Sequence, residues 1–404
     1  MDREGRGTGR ENGQGEEVSA ESRRAQQQST VALVRCESYE REVVDSSVRR
    51  AVDLLGGISA FVKPGDQVLL KPNLLAARAP ERRITTDPSI VRSVARLVQE
   101  AGGTPAVGDS PALETLQRVA RKTGMREVAE ELGLELVDLV QPTPVSLRDG
   151  SVFRNLEIAA RALEADVVIN LPKLKTHSQM LLTLGVKNLF GTVVAQRKAE
   201  WHYMAGVDRD TFASLHLDIY QAIQPALTIL DGVWAMDGHG PANGRPRRAN
   251  LVAAATDAVA LDVSICHLLG VPLRSFPLYR AAKARGIGET EVSRISFRGD
   301  PPETFQVKDF EVPSLDSLGV LPGMFGWFTK RYLVSKPVQE ERECAGCGEC
   351  TEICPAEAIQ LEAKKLAFDY DRCIRCYCCQ EVCPQDAIRF HRGVLVRLLN
   401  RFNR

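Results

Sequence analysis

Nine of the eleven cysteines lie between Cys344 and Cys383, and their arrangement constrains the fold more than any other feature of this 404-residue sequence. A disulfide framework would spread its cysteines over the fold that it stabilises, whereas a cluster site concentrates its thiolates. Two runs, CAGCGECTEICP from residue 344 and CIRCYCCQEVCP from residue 373, share the spacing C-x2-C-x2-C-x3-C-P. The repeat predicts a small cysteine-ligated domain at the end of the chain.

The spacing indicates which cysteines act together. Three closely spaced thiolates wrap a tight loop around three irons of a cubane, so the fourth iron needs a ligand from another direction. In bacterial two-cluster ferredoxins, which have this spacing, the fourth cysteine of each run binds the other cluster. We therefore predict two [4Fe-4S] clusters, the first held by Cys344, Cys347, Cys350 and Cys383, and the second by Cys354, Cys373, Cys376 and Cys379.

Two alternatives concern this cysteine-rich stretch. Zinc sites commonly use two C-x2-C pairs separated by a gap, and three consecutive steps followed by C-P do not fit that pattern. Cys378 lies inside the second run without belonging to the motif. We favour a small buried thiol beside the cluster, while an alternate ligand or a redox-reactive thiol stays open.

Composition narrows the class of protein. Lys plus Arg equals Asp plus Glu at 52 each, so net charge gives no reason to expect attraction to nucleic acid. No stretch approaches the run of about 20 apolar residues that spans a bilayer, and the polar N-terminus has no apolar segment of the kind that export requires. We expect a cytoplasmic protein.

The chain divides into five predicted segments. Residues 1–29 are polar and predict a disordered tail. Residues 313–337 form an unusually apolar connector that we expect to pack on one or both domains, with contact to a membrane surface as the alternative. The other three segments are an α/β domain at 30–312, a ferredoxin-like α+β domain at 338–392 and a basic tail at 393–404.

Short aliphatic runs alternate with amphipathic segments through the α/β domain. This alternation predicts a mostly parallel sheet with helices on both faces. Predicted strands are 31–35, 66–73, 104–111, 134–139, 165–177, 226–232 and 251–257. Predicted helices are 45–62, 87–99, 113–122, 125–132, 156–164 and 257–269, with Asp87 as an N-cap followed by Pro88.

Polar residues follow several predicted strands, where open α/β sheets bind ligands. Lysines are rarely buried for packing alone, and several together suggest an anionic ligand such as a phosphate or carboxylate. The candidate catalytic residues are Lys71, Asp109, Lys173, Lys175, His177 and Lys187. Asn73, Asn188, Asp231, Asp237 and His239 accompany them at the same predicted edge.

Two histidines are further candidates for this site, and the sequence argues against a standard nucleotide pocket there. His177 and His202 could act as general acids, or could bind a metal with Asp109 or Asp237. Neither a Walker A sequence nor a strand-linked G-x-G-x-x-G is present, so a nucleotide pocket of standard type is not expected.

The combined motifs resemble a known family over residues 30 to about 395. The stretches that carry the resemblance are KPNLL (71–75), TTDP (85–88), GDSP (108–111), LPKLKTH (171–177), GVKNLFGT (185–192), MDGHGP (236–241), DAVALD (257–262) and CYCCQEVCP (376–384). The chain is similar to "domain of unknown function 362" proteins that carry a C-terminal ferredoxin module. The resemblance implies a cytoplasmic iron–sulfur protein described as a ferredoxin-linked oxidoreductase without an assigned substrate.

Three functions fit the sequence. The first is an oxidoreductase that passes single electrons through the clusters to a small anion at the strand ends, with a ferredoxin or reductase as its redox partner. In the second, the protein is a non-catalytic electron carrier or assembly component that docks a partner enzyme. In the third, the protein is an anion-transforming enzyme, such as a ligase or transferase, in which the clusters are structural or regulatory.

Overall fold

The structure is a computed structural model that describes residues 28–147, 151, 153, 155–206, 208–313, 335–340 and 344–391. The predicted N-terminal tail lies outside this part of the chain except for residues 28–29, and the predicted basic tail lies outside it completely. The large apolar residues of the predicted connector also lie outside it, so the packing of the connector stays a prediction. Within the described residues, no helix combines the length and apolar character needed to cross a bilayer.

Ten strands of the α/β domain form one mixed sheet in the order β12-β1-β11-β10-β7-β2-β3-β4, with β8 paired to β10 and β9 paired to β8. A separate two-stranded sheet joins β5 and β6. The strands are β1 (Thr30–Arg35), β2 (Gln67–Pro72), β3 (Thr104–Asp109), β4 (Glu135–Asp138), β5 (Pro142–Pro144), β6 (Glu157–Ala159), β7 (Val167–Leu171), β8 (Lys173–His177), β9 (Leu181–Thr183), β10 (Leu227–Asp237), β11 (Arg245–Ala255) and β12 (Ser296–Gly299).

Parallel pairing dominates the large sheet. Six of its described strand pairs are parallel, and three are antiparallel. The pairs β7–β2, β2–β3 and β3–β4 are all parallel, so the carboxyl ends of these strands lie at the same edge of the sheet. This confirms the prediction of a mostly parallel sheet.

Helices cover both faces of the large sheet, as predicted. One core contains Val48, Ile90 and Val119, which come from the helices of the first third of the chain. The core on the other face contains Phe212 and Val259 from later helices. The helices are α1 (Arg41–Asp53), α2 (Pro88–Glu100), α3 (Leu116–Thr123), α4 (Met125–Leu132), α5 (Ala160–Leu163), α6 (Gly185–Asn188), α7 (Ala195–Ala205), α8 (Arg209–Ile223), α9 (Ala258–Leu268) and α10 (Pro277–Arg285).

Aspartate caps fix where two of these helices begin. The Asp87 side chain accepts a hydrogen bond from the Ser89 backbone N–H at the start of α2, and Pro88 occupies the first turn. Asp257 likewise accepts hydrogen bonds from Val259 N and Ala260 N at the start of α9. Because a short side-chain acceptor satisfies N–H groups that have no partner within the helix, these caps were predictable from sequence.

Two predicted helices have different bounds in the structure. The helix expected at 45–62 is α1 at Arg41–Asp53, because Gly56 and Gly57 follow it with positive φ angles of 109° and 81°. The helix expected at 156–164 begins instead as strand β6, and only Ala160–Leu163 is helical. The β6 strand pairs with β5, so tertiary pairing overrides the local pattern here.

Two predicted strands were too short, since 226–232 is β10 at Leu227–Asp237 and 251–257 is β11 at Arg245–Ala255. Strand β10 continues past Asp231 to Asp237 through an irregularity between Gly232 and Trp234. Asp231 therefore lies inside a strand rather than at its end. Strand β11 is antiparallel to β10, so the polar exit after Ala255 lies at the opposite edge from the other strand ends.

The C-terminal module, described at residues 335–340 and 344–391, is a small α+β unit. Its terminal strands β13 (Lys336–Gln339) and β16 (Ile388–His391) pair antiparallel. Between them lie the hairpin of β14 (Ile359–Glu362) and β15 (Lys365–Phe368) and the short helices α11 (Glu349–Glu352) and α12 (Cys378–Val382). Its core includes Ile359 and Ile388, packed with Cys350 and Cys379.

Candidate functional site

Lys71 and Asp109 end neighbouring parallel strands and form a buried ion pair. Lys71 Nζ lies 3.0 Å from Asp109 Oδ1 and donates to Pro72 O at 2.7 Å, while Asp109 Oδ2 accepts from Leu74 N at 2.6 Å. Gly191 passes directly over this pair, because an added Cβ there would come within 2.1 Å of Asp109 Oδ1 and 2.5 Å of Lys71 Nζ. The second glycine of the GVKNLFGT stretch, Gly191, is therefore needed for this close approach.

Lys173 forms a separate, closed arrangement. Its Nζ lies 2.8 Å from Asp231 Oδ2 and donates to the Tyr39 hydroxyl at 2.7 Å. The Tyr39 hydroxyl donates to Asp231 Oδ1 at 2.7 Å, which completes a buried triangle of three polar groups. Lys173 and His177 share a face of β8 but are about 13 Å apart along the strand, so one small pocket does not include both.

A pocket with about 100 Å³ of room for water-sized molecules lies between the strand edge and the C-terminal module; we call it the edge pocket. Of the six predicted catalytic residues, it brings together four, while Lys71 and Lys173 do not line it. Its charged and titratable lining residues are Asp109, Lys175, His177, Lys187, Lys198, His202, Cys378 and Glu381. The last two come from α12, inside the second cysteine run.

Lys175 is held at the wall of the edge pocket by two acceptors. Its Nζ donates to Asn73 Oδ1 at 2.9 Å and to Ile84 O at 2.6 Å. Asn73 is itself oriented by a hydrogen bond to Asn188, which explains two asparagines of the KPN and KN stretches. Burial, with a further contribution from nearby Lys187, lowers the pKa of Lys175 to about 7.

Lys187 differs from the other buried lysines because no hydrogen bond or ion pair reaches its Nζ from the described residues. It lies over the rings of Phe190 and Phe212, with centroid distances of 5.6 and 5.9 Å. The short helix α6 holds it there, since Asp262 accepts the backbone N–H groups of the first two residues of α6. Burial lowers the pKa of Lys187, and the charge of Glu381 opposes that shift.

His177 lies where the α/β domain meets the C-terminal module, and its hydrogen bonds determine which ring nitrogen carries the proton. Its Nδ1 accepts the backbone N–H groups of Gln179 and Met180 at 3.1 and 3.2 Å, so the proton of the neutral ring lies on Nε2. Nε2 lies 3.0 Å from Glu381 Oε1. Burial and the nearby Lys187 charge lower the pKa of His177 to about 4, so the ring is neutral at physiological pH.

The carboxyl group of Glu381 is ionised in this environment. Burial opposes its ionisation, but His177 and Lys187 lower the pKa of Glu381 to about 2. Neighbouring Gln380 strengthens the contact between the halves, since its side chain accepts from Ser178 Oγ at 3.3 Å and its backbone oxygen from Asn243 Nδ2 at 3.4 Å. The C-terminal module therefore supplies one wall of the edge pocket.

Lys198 was not among the predicted site residues. It lies on α7, lines the edge pocket and donates to the backbone oxygen of Ser110. Burial lowers its pKa to about 7. Its position four residues before His202 was the available signal, because residues at that spacing share a helix face. His202 also lines the pocket, and burial lowers its pKa to about 3, so neither histidine is charged at neutral pH.

Two polar atoms at the edge pocket are buried without a hydrogen bond among the described residues. They are Thr183 Oγ1 and His202 Nδ1. Buried polar atoms are normally satisfied, and unsatisfied ones commonly mark a bound water, ion or ligand. Together with the unpaired Lys187 Nζ, they indicate a site that binds a small polar molecule.

The MDGHGP stretch contributes fewer residues to the edge pocket than the sequence predicted. Asp237 is buried and paired with Arg245 and Arg247 at 3.4 and 3.2 Å, while His239 is exposed. Neither lines the edge pocket, although Pro241 does. In the described residues, no three His, Cys, Asp or Glu side chains form a site for a single metal ion.

Two cavities in the C-terminal module divide the eight motif cysteines as the spacing predicts. Cys383 joins three cysteines of the first run in one cavity, and Cys354 joins three of the second run in the other. Four thiol donors per cavity are the donor set that a [4Fe-4S] cluster requires, so the residues fit that group. The first cavity is lined by Cys344, Cys347, Cys350 and Cys383, and the second by Cys354, Cys373, Cys376 and Cys379.

Two families of known proteins match separate parts of the chain. Residues 68–267 match the family "Domain of unknown function (DUF362)", and residues 336–384 match the "4Fe-4S dicluster domain". The thylakoid-associated protein sll1697 of Synechocystis sp. is 41% identical over 286 residues, which cover 71% of this chain and 88% of that protein.

Solved structures give a more distant likeness. The lactate racemase apoprotein of Thermoanaerobacterium thermosaccharolyticum matches with a TM-score of 0.36 and 16% identity over 59% of this chain and 57% of that chain. A Thermotoga maritima protein matches with a TM-score of 0.34 and 11% identity over 54% and 55%. The matched region is less than two thirds of either solved chain. From its matched residues and its Synechocystis relative, the chain belongs to the domain of unknown function 362 family, in a form with a C-terminal 4Fe-4S dicluster ferredoxin domain.

Proposed function

We propose that this protein is an iron–sulfur redox enzyme that reduces a small anion bound in the edge pocket. The observation that carries the proposal is the composition of the pocket wall. Strand-edge lysines line one side, and Ile353, Cys378 and Glu381 of the C-terminal module line the other. A ligand there would contact both a cationic site and the part of the module that surrounds the second cysteine cavity.

The module would hold two [4Fe-4S] clusters in its two cysteine cavities. When bound, such clusters supply one-electron transfer. Two residues of the pocket wall, Ile353 and Cys378, directly precede Cys354 and Cys379, which both line the second cavity. Only Val382 of the wall directly precedes a cysteine of the first cavity, Cys383. We therefore propose that the second cavity, rather than the first, lies next to a ligand bound in the edge pocket.

Lys187 is the residue that we assign to anion binding. A buried ammonium without a protein partner gains a charge-assisted hydrogen bond when an anion arrives, whereas a paired lysine would have to exchange one partner for another. Lys175 and Lys198 lie at the same pocket and add positive charge when protonated. About 100 Å³ of room limits the anion to a small one, such as a short carboxylate.

Lys175 and Lys198 are also the proton donors that we propose. A general acid works best when its pKa lies near the operating pH, and burial brings both lysines to about 7. This revises the role expected for His177, whose pKa of about 4 leaves it neutral and whose N–H points toward Glu381. His177 instead orients Glu381 at the junction of the two halves.

A separate electron donor is needed, and a ferredoxin or reductase stays a prediction. Among the motif cysteines, Cys347 of the first cavity is the exposed one, so the donor would approach that side of the module. The cytoplasmic location also stays a prediction. Because the Synechocystis relative is described as thylakoid-associated, a membrane-bound electron source is the first donor to test.

Reoxidation kinetics test the proposed function. Anaerobically reconstituted protein, reduced with dithionite and freed of excess reductant, is mixed with a panel of reducible small carboxylates and their neutral amides. We expect at least one carboxylate to reoxidise the clusters while its amide does not, and Lys187→Met to abolish the reaction. Lys63→Met, which alters an exposed lysine, is the matched control. Equal reaction of amides and carboxylates, or full activity in Lys187→Met, would contradict the proposal.

A further inference from the structure

Cys378 lies between the second cysteine cavity and the edge pocket. It is buried, and it lines the edge pocket together with Lys187 and Glu381. It is not among the residues that line the second cysteine cavity, although its neighbours Cys376 and Cys379 are. Its sulfur is therefore placed to contact a pocket ligand rather than to replace a motif cysteine.

The Cys378 side chain is also in contact with a motif cysteine. It packs in one apolar cluster with Cys376 and Ile353. Because Cys376 and Cys378 belong to one cluster of packed side chains, the S–H of Cys378 has the Cys376 sulfur as a nearby acceptor. A thiol has one proton to donate, so a bond to Cys376 and a bond to a pocket ligand exclude each other.

We propose that Cys378 couples the occupancy of the edge pocket to the reduction potential of the second cluster, by switching its one S–H between the Cys376 sulfur and a bound carboxylate. The inference rests on the proposed function because it needs an anion in the pocket. It assigns a positioning role to the one cysteine of the module that the ferredoxin motif leaves unused.

The direction of the coupling follows from the charges involved. A hydrogen bond to a cluster sulfur stabilises the reduced, more negative state and so raises the reduction potential. A carboxylate that accepts the S–H hydrogen bond removes this stabilisation. The negative charge of the carboxylate also disfavours the reduced cluster. The cluster would therefore become a stronger reductant when the pocket is filled. Anion binding and cluster reduction are thermodynamically linked. If the reduced protein binds the anion ten times more weakly than the oxidised protein does, the reduction potential becomes more negative by about 59 mV.

Redox titration monitored by electron paramagnetic resonance tests the coupling on the reconstituted full chain. Acetate is the probe, and acetamide of the same shape is the neutral control. We expect acetate, and not acetamide, to shift the midpoint potential of one cluster to more negative values. Cys378→Ala should start at a more negative potential than the wild type and lose most of the acetate shift.

Two further variants keep the test decisive if Cys378→Ala assembles poorly. Cys378→Ser retains a donor and should keep the acetate shift. Cys266→Ala removes a buried cysteine of α9 and should behave as the wild type does. The potential of the cluster in the first cavity serves as an internal control, because Cys378 does not line that cavity and its loss should leave that potential unchanged.

Calorimetry separates the two ways in which the inference can fail. If acetate binds and Cys378→Ala keeps both the wild-type potential and the wild-type shift, the coupling through Cys378 is wrong while the anion pocket stands. If acetate does not bind the wild type at all, the anion pocket fails, and the coupling fails with it.

Discussion

Lys173 and Lys187 are both buried near the same edge of the sheet, and their surroundings differ completely. Lys173 has two oxygen partners within 2.8 Å in a closed triangle with Tyr39 and Asp231. Lys187 has aromatic rings around it and no hydrogen-bond partner in the described residues. Burial of a lysine is thus not by itself a sign of a binding site; what matters is whether the protein already satisfies its charge.

The two lysines should differ in how strongly removal of their charge affects stability. Replacing one member of a buried pair leaves the other charge without compensation, which is strongly destabilising. Replacing a buried and unpaired charge removes an unfavourable desolvation term instead. The contrast between a structural lysine and a ligand-binding lysine therefore becomes measurable, and four predictions follow in decreasing order of expected effect.

Lys173→Met should lower the free energy of unfolding by about 3–5 kcal/mol, because it leaves the buried charge of Asp231 without its positively charged partner. Chemical denaturation of the reconstituted protein measures this change. Lys173→Met combined with Asp231→Leu should recover much of the loss. A change within experimental error in the single variant would show that the triangle is not structural.

Lys187→Met should change the unfolding free energy less than Lys173→Met does, because relief of the desolvation of Lys187 offsets the loss of its attraction to Glu381, while the binding of acetate weakens. Loss of one hydrogen bond between a charged donor and a charged acceptor costs about 1.5–3 kcal/mol, or roughly a 10- to 150-fold rise in Kd. Calorimetry measures the affinity, and Lys63→Met is the exposed control. Strong destabilisation without loss of affinity would reverse the roles that we assign to the two lysines.

Gly191→Ala should destabilise the protein by about 1–3 kcal/mol, as overpacking typically does. An added Cβ would come within 2.1 Å of Asp109 Oδ1 and must displace the Lys71–Asp109 pair or the loop above it. Thermal unfolding measures the cost, and acetate affinity reports whether the displaced groups also distort the edge pocket. Wild-type values in both measurements would show that the loop does not lie over the pair as described.

The pH dependence of acetate binding should follow Lys175 and Lys198. Because burial lowers their pKa values to about 7, both are mostly protonated at pH 6 and mostly neutral at pH 8. Acetate affinity should therefore fall as pH rises, by roughly tenfold between pH 6 and pH 8 for each lysine that contacts the anion. Lys175→Met or Lys198→Met should flatten this profile, and a pH-independent affinity in the wild type would contradict the assignment.

Local sequence signals account for much of the fold and of the cysteine cavities. The cysteine spacing, together with the ligation pattern of two-cluster ferredoxins, divided the eight motif cysteines into the two sets that line the two cavities. Asp87 and Asp257 cap helices where a short acceptor precedes an apolar pattern. These features are predictable because each depends on neighbours within a few residues.

Features that depend on distant parts of the chain could not be predicted in this way. Glu381 and Cys378 reach the edge pocket only because the C-terminal module docks against the strand edge, and neither has a local pattern that announces this contact. Lys173 and Lys175 are equivalent in sequence, and only the position of Asp231 inside β10 makes the first a structural residue. The sequence predicted that this strand ends at residue 232, so it could not show that Asp231 lies inside β10.

The most direct test of the account is the position of a bound anion relative to the reduced cluster. Electron–nuclear double resonance on the reduced protein with carbon-13 acetate detects the label when it lies close to the unpaired electron. We predict a carbon-13 hyperfine coupling in the wild type that disappears in Lys187→Met. Acetate that binds by calorimetry but shows no such coupling would place the anion elsewhere and contradict the account.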